Sequence, residues 1–205
     1  MKVVIGCEFS GVVGQAFQDV GCDVTTSDLL PSENPNVRHY QGDIFELLKK
    51  ERFDLGIFHP PCFRICNSGV MWLEKRNLWD EMKKACLFFK ALLEADIDKI
   101  AVENPIPHKY ALKIIGKKYN QIIQPYMFGH PERKATCLWL KNLPELKPTK
   151  DVKKRMESLP KKEAQRIYYT SPGKDRWKIR SRTFKGIAQA MASQWGVGKA
   201  NQNAD

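Results

Sequence analysis

The chain has 205 residues, with 34 Lys and Arg against 23 Asp and Glu, a formal net charge of +11 and 42% hydrophobic residues. That length suits one domain, or one domain with an appendage, and the apolar fraction together with ten Phe excludes a wholly disordered chain. No apolar run approaches the ~20 residues of a membrane span, and the opening strand-like residues reach Glu8 too soon for a signal peptide. A cytoplasmic protein with no membrane partner is expected. Six cysteines (Cys7, Cys22, Cys62, Cys66, Cys86 and Cys137) without a secretion signal do not predict a disulfide framework. Cys62 and Cys66 lie four apart with no matching His/Cys pair nearby, so no metal site is expected.

In chain order, residues 3–9 read as a strand and 12–20 as a helix ended by Gly21. A second strand over 23–27 closes at Asp28, and a weak third covers 37–40. Residues 44–50 form a short helix, and a strand over 55–59 is stopped by Pro60 and Pro61. The longest helix covers 78–95, where Met82, Ala85, Cys86, Phe89, Leu92 and Leu93 make one apolar stripe. A strand over 100–103 stops at Asn104-Pro105, 108–115 is helical, and 122–127 and 136–140 read as two closing strands. Thr183 caps a final helix over 184–195, ended by Gly196, and residues 197–205 fray. This alternation predicts an α/β fold: a Rossmann-like sheet, mostly parallel, with an antiparallel edge strand and helices on both faces.

The charge is uneven. Residues 141–185 hold 15 Lys and Arg against 5 Asp and Glu, which leaves the rest of the chain nearly neutral. Such a segment suits a phosphate-bearing partner, and Tyr168, Tyr169 and Trp177 among Lys174, Arg176, Lys178, Arg180 and Arg182 suit stacked bases. A solvated basic loop with a small strand pair is the competing reading.

Every unusual short sequence falls at the carboxyl end of a strand, where open α/β sheets bind ligands. After the first strand comes Glu8-Phe9-Ser10-Gly11-Val12-Val13-Gly14, a glycine turn into a helix that lets backbone approach a nucleotide. Asp28 closes strand two, 17 residues after Gly11, where an acid holds ribose hydroxyls. A tight turn plus a capping Asp explains the same residues. Asp43 is read first as the cap of the next helix. His59-Pro60-Pro61-Cys62 follows strand four, and the two prolines present the next side chain rigidly, so that a thiol there can act as a nucleophile. Glu103-Asn104-Pro105 ends the neighbouring strand, and partial burial is expected to raise the Glu103 pKa until it donates a proton.

Together these residues resemble the cytosine-C5 DNA methyltransferases, most closely the small phage-type members. Phe9-x-Gly11 looks like the first motif of that family, Asp28 the second, Gly42-Asp43-Ile44 the third, Pro60-Pro61-Cys62 the nucleophile motif, and Glu103-Asn104 the E-N motif with Pro105 in place of the usual Val. Pro131-Glu132-Arg133-Lys134 is similar to the arginine motif, and residues 183–195 to the final motif helix. The resemblance spans about residues 3–140 and 181–196.

It implies a methyltransferase core over 1–140, a basic segment over 141–182 where the family has a target-recognition domain, a helix over 183–196 folding back on the core, and a tail over 197–205. It implies S-adenosyl-L-methionine as cofactor, held by Glu8, Phe9, Ser10, Gly11, Asp28, Asp43, Ile44 and Pro60. Cys62 would attack C6 of the pyrimidine as a thiolate, Glu103 would protonate or hydrogen-bond N3 and the exocyclic amine, and Arg133 would hold the base or the Cys62 loop. Pro61, Asn104, Lys134, Lys174, Arg176 and Arg180 would contact substrate, and residues 63–73 would form a mobile loop closing over the base. The chain departs from the family at Val13, which replaces the second glycine, and at Phe63-Arg64 after the nucleophile. With so short a recognition segment, DNA, duplex or single-stranded, would be gripped mainly through phosphates, with specificity low, short, or supplied by another protein.

An amino-directed methyltransferase would need an acidic or amide residue before Pro-Pro and an aromatic after it, where this chain has His59 and Cys62. A two-cysteine RNA enzyme would need a second Cys near Glu103-Asn104-Pro105, where none occurs. RNA or a pyrimidine nucleotide as substrate, and a catalytically inactive nucleic-acid-binding relative, stay open.

Overall fold

In the computed structural model, which describes residues 1–196, the strands are buried on both faces and their side chains alternate between two cores. The strands are β1 (Lys2–Gly6), β2 (Asp23–Asp28), β3 (Arg38–Gln41), β4 (Leu55–Phe58), β5 (Lys99–Pro105), β6 (Gln121–Ile123) and β7 (Thr136–Lys141). The helices are α1 (Val12–Asp19), α2 (Ile44–Lys50), α3 (Met71–Lys75), α4 (Trp79–Leu93), α5 (Lys109–Ile115), α6 (Lys153–Ser158), α7 (Lys161–Ala164), α8 (Arg176–Ser181) and α9 (Lys185–Trp195). The seven strands form one sheet in the order β3-β2-β1-β4-β5-β7-β6. The first five run parallel, whereas β7 is antiparallel to both β5 and β6. This is the Rossmann-like α/β arrangement the strand–helix alternation predicts.

Period-2 alternation divides the layers. Val3, Ile5, Leu55, Ile57, Leu138 and Leu140 point to a core shared with α1 and α9. Val4, Phe58, Ile100, Val102, Cys137 and Trp139 point to a core shared with α2, α4 and α5. Each fully buried Leu, Ile or Phe contributes about 1.5–3 kcal/mol of transfer free energy, so the sheet is anchored from both sides. The apolar stripe expected on the longest helix is what seats α4, with Met82, Cys86, Phe89 and Leu92 buried.

Four local expectations are corrected. Strand β1 ends at Gly6 rather than at residue 9, because Cys7 adopts a left-handed φ of 59° that breaks the extended run. Only the first part of 122–127 is strand; Pro125–Met127 is a 3-10 turn, since a proline cannot donate to the ladder. Thr183 does not cap the final helix. Phe184 is its N-cap and offers no side-chain acceptor, and the free Gly186 N–H donates instead to His130 Nε2 at 3.0 Å. Residues 141–182, expected to be poorly periodic, contain α6, α7 and α8, each too short to show a helical repeat. The fraying expected of 197–205 concerns residues outside those described.

Helix α9 brings the end of the described chain back to the beginning. It packs against α1 in the first core, the Cys22 thiol donates to Gly196 O at 3.3 Å, and Trp195 Nε1 donates to Pro144 O at 3.1 Å. Gly186 allows this docking, because a Cβ there would lie 1.9 Å from Phe128 O. Among the described residues no helix is long and apolar enough to cross a membrane.

Candidate active site

Parallel pairing of β4 with β5 (Phe58 opposite Val102) sets His59 and Glu103 side by side as the two strands end. Antiparallel β7 runs back along β5 with Thr136 opposite Pro105, which delivers Lys134 to the same edge. The result is a narrow slot lined by His59, Glu103, Lys134 and Thr136 from the sheet and by Thr183, Phe184, Ile187 and Met191 from the α9 region.

The slot is polar at its floor. His59 Nδ1 lies 3.9 Å from Glu103 Oε1, and the two side chains are 7% and 19% exposed. Both ring nitrogens of His59 are buried without a hydrogen-bond partner, as is Asn104 Oδ1. Lys134 Nζ donates to Arg180 O at 2.9 Å, which ties the slot to the basic segment. Burial pushes the Glu103 carboxyl up, but the imidazole beside it and the Lys134 ammonium outweigh burial and hold it below the usual carboxylate range. The expectation that burial would raise the Glu103 pKa is thereby corrected: the neighbouring cations win.

Cys62 is half-buried and borders the slot rather than lining it. Its thiol shares a hydrogen bond with Cys66, and the charges of both Glu103 and Lys134 reach it. The hydrogen bond to Cys66, then burial, then the negative charges of Cys66 and Glu103 push the Cys62 thiol up, and Lys134 opposes them. Cys66 moves the other way, because its thiolate accepts from Cys62 and from Ser68. Cys62 O accepts from Ile65 N at 3.0 Å and Cys66 N at 2.9 Å, a turn that sets the sulfurs side by side.

The segment expected to be a mobile loop is pinned. Asn67 N donates to Ile106 O, His108 N to Ile65 O, and His108 Nε2 contacts Arg64 O, all at 2.9–3.0 Å. Residues 67–69 and α3 then add helical structure before α4.

The turn after β1 is organised around Glu8. Its buried carboxylate accepts from Ser10 Oγ and, at 3.1 Å, from Val12 N, while Oε2 has no partner. Gly11 sits at φ +69°, and a Cβ on it would lie 2.4 Å from Asn34 Cβ, so only glycine fits the turn and its neighbour. Asp28 Oδ1 accepts from Leu30 N at 3.0 Å, and Asp43 caps α2 through Phe45 N at 2.8 Å. Both carboxylates also face Cys7, whose thiol is pushed to about 12, chiefly by burial and then by these two charges. Glu8, Asp28 and Asp43 therefore converge at the ends of β1, β2 and β3. The structure brings Phe9, Ser10 and Gly11 to the same edge. Ile44 is buried behind it in the second core, and buried Pro60 and exposed Pro61 lead from β4 to Cys62.

Arg133 is not in the slot. It is exposed, with Nε directed at Met156 Sδ at 3.2 Å, and its N–H donates to Ala164 O. Lys134 occupies the place expected of Arg133. In the basic segment, Arg176 Nε donates to Thr170 O at 2.8 Å, Lys174 is exposed, and Arg180 meets the slot only through its carbonyl. Trp177 packs on Phe9 with ring centroids 5.5 Å apart, and Arg182 pairs with Glu33, so α8 lies across the glycine turn. Beside it is an open cleft lined by Lys162, Arg166, Tyr169, Thr170, Ser171 and Ile179.

Sequence reasoning missed His59 as a site residue, and the α9 side of the slot with it. The signal for His59 was its position directly before Pro60-Pro61 at a strand end.

No family model matches the sequence, and no characterised protein matches it in sequence. Among solved structures, the chain is similar to a DNA modification methyltransferase encoded within an E. coli prophage, at 15% identity over 78% of this chain and 56% of that one, with a TM-score of 0.48. It is similar to the methyltransferase EhMeth of Entamoeba histolytica at 15% identity over 74% of this chain and 57% of that one, with a TM-score of 0.46. It is also similar to the S. pombe Dnmt2 methyltransferase at 13% identity over 85% and 61%, with a TM-score of 0.44. The chain spans less than two thirds of the length of each.

Proposed function

We propose that this protein transfers a methyl group from S-adenosyl-L-methionine to C5 of cytosine in DNA, with little or short sequence specificity, through a covalent adduct on Cys62. The observation that carries the reading is a carboxylate and an ammonium (Glu103 and Lys134) lining one slot at the carboxyl edge of an open α/β sheet, with the Cys62 thiol bordering it within reach of both charges.

The donor set after β1 fits the cofactor. Glu8 Oε2 is a buried acceptor without a partner, suited to an amino group, Asp28 closes β2 where ribose hydroxyls are held, and Phe9 offers a ring face. When bound there, S-adenosyl-L-methionine supplies an electrophilic methyl. The protein's part is to make C5 nucleophilic. Cys62 passes its proton to the neighbouring Cys66 sulfur as its Sγ forms a bond to C6, the C5–C6 electron pair moves to C5, and Glu103 delivers a proton to N3 so that the ring carries no excess negative charge. Loss of the C5 proton to a water molecule afterwards restores the double bond and expels the Cys62 sulfur, which recovers its proton from Cys66. Lys134, rather than Arg133, is the cation of this site, because it alone of the two lines the slot.

The basic segment grips the phosphate backbone. Its cleft of Lys162, Arg166 and Tyr169 pairs cations with an aromatic face, as single-stranded nucleic acid requires. Ile179 lines that cleft and Thr183 lines the slot, so the basic segment leads from one to the other along the chain. Nothing in this arrangement calls for a second, specificity-supplying protein, and the proposal does without one. Incubation with methyl-labelled cofactor and duplex DNA, single-stranded DNA, RNA or dCMP, followed by digestion, tests the reading: label is expected in 5-methylcytosine from DNA. Label in RNA or dCMP alone moves the substrate class, and binding without label reduces the protein to a nucleic-acid-binding relative.

A further inference from the structure

The chain contains four histidines, and three have structural roles visible in their hydrogen bonds. His39 contacts Thr26 Oγ1 through Nδ1 and Leu30 O through Nε2, both at 2.9 Å. His108 caps α5 through Nδ1 and contacts Arg64 O through Nε2. His130 Nε2 accepts from Gly186 N. His59 differs: both nitrogens are buried and neither has a partner. Its one ion-pair contact among the described residues is with Glu103, and burying ring nitrogens without a hydrogen bond costs about 1–3 kcal/mol per polar group.

The same slot poses a chemical problem. Adduct formation on the ring needs a proton at N3, and the imidazole and ammonium beside Glu103 hold its carboxyl below the usual carboxylate range, which makes the carboxyl a poor store for that proton. At neutral pH solvent is a poor proton donor to a slot walled by Phe184, Ile187 and Met191. The group nearest the carboxylate that can carry a proton inward is His59, with Nδ1 3.9 Å from Oε1. That is ion-pair distance, and catalytic contacts of this kind tighten when substrate fills the site.

We propose that His59 is the positioning residue for Glu103 and the store of the proton that Glu103 passes to the pyrimidine. This rests on the function proposed above. In the step itself, the His59 Nδ1–H bond breaks as an O–H bond forms on Glu103, and the carboxyl O–H breaks as N3–H forms. The pair begins as imidazolium and carboxylate and ends as neutral imidazole and carboxylate, with one proton gained by the base. The proton returns along the same path when the adduct collapses. The other charged or titratable groups bearing on the pair are Lys134 before β7, Cys62 after β4 and Cys137 on β7; α9 contributes only Thr183, Phe184, Ile187 and Met191 to this wall.

Two measurements test it. In the methyl-transfer assay, His59→Gln should lower kcat at neutral pH by about 10²-fold, the lower end of what general acid–base catalysis contributes. The loss should shrink as pH falls, because Glu103 then takes its proton from solvent. An equal loss at every pH, or none, overturns the proposal. Independently of turnover, NMR titration of the His59 ring should show its midpoint fall in Glu103→Gln, which removes the negative partner; an unchanged titration overturns the pairing. Because the second measurement uses the protein alone, absence of methyl transfer on every substrate would defeat the proposed function while leaving the His59–Glu103 pairing decided on its own terms.

Discussion

The turn after β1 and the edge where β4 and β5 end are built from similar materials, a buried carboxylate beside small polar groups, and are finished differently. In the turn, Glu8 is engaged by Ser10 and by Val12 N, and the space beside Gly11 is filled by Asn34. At the β4–β5 edge, His59 and the Asn104 carbonyl are buried with nothing to bond to, and Glu103 is flanked by cations. The first region spends most of its polar groups on its own shape and leaves one acceptor, Glu8 Oε2, to spare. The second leaves several idle. Idle buried polar groups cost stability and are retained where chemistry uses them, so the two regions should respond in opposite ways to mutation.

The sharpest contrast comes from Cys62→Ala, which should abolish methyl transfer while cofactor affinity and thermal midpoint stay near those of the parent. Glu103→Gln should follow with a loss of about 10²–10⁴-fold in kcat. Loss of cofactor binding in Cys62→Ala would instead make the thiol structural and erase the distinction between the regions. Next in size is salt. The basic segment touches both regions, through Trp177 on Phe9 and Arg180 O on Lys134. With several phosphate contacts, DNA affinity should fall by about 10²–10⁴-fold between 50 and 200 mM salt. A flat titration would point to a small-molecule substrate. The smallest effect is Gly11→Ala, which should cost about 1–2 kcal/mol because an L side chain is strained at this positive φ, with crowding against Asn34 adding to it. It is read as a lower thermal midpoint with parental stability retained by Cys62→Ala. The reverse pattern would invert the comparison.

The sheet was legible because its signals are local. Alternating Val3, Val4 and Ile5 set two faces, Pro60 and Pro105 mark strand ends, and the stripe from Met82 to Leu92 specifies one helix. That Glu103 would lie beside the end of β4 was legible because adjacent parallel strands bring their ends together. What depended on distant packing was not. No pattern in residues 183–191 announces that they wall a slot, and nothing near Arg133 says that its guanidinium turns toward Met156 while Lys134 faces inward. The sign of the Glu103 shift was misjudged for the same reason: burial could be foreseen from position, whereas the imidazole and the ammonium arrive from β4 and from the approach to β7. Tyr168 and Tyr169 looked like half of a strand pair and instead stand in turns after α7, with Tyr169 on the cleft.

Helix α9 carries a consequence for how the protein is made. Ile187 and Met191 complete a wall whose other side is supplied by residues 59 and 103, so the slot does not exist until α9 has been made and has docked. A nascent polypeptide halted before residue 183 could already have paired β1 to β7, yet it would have an open gutter where the finished protein has an enclosed chamber. Enclosure of the slot is thus a late event of folding, set by the docking of α9 on α1 rather than by the pairing of the strands.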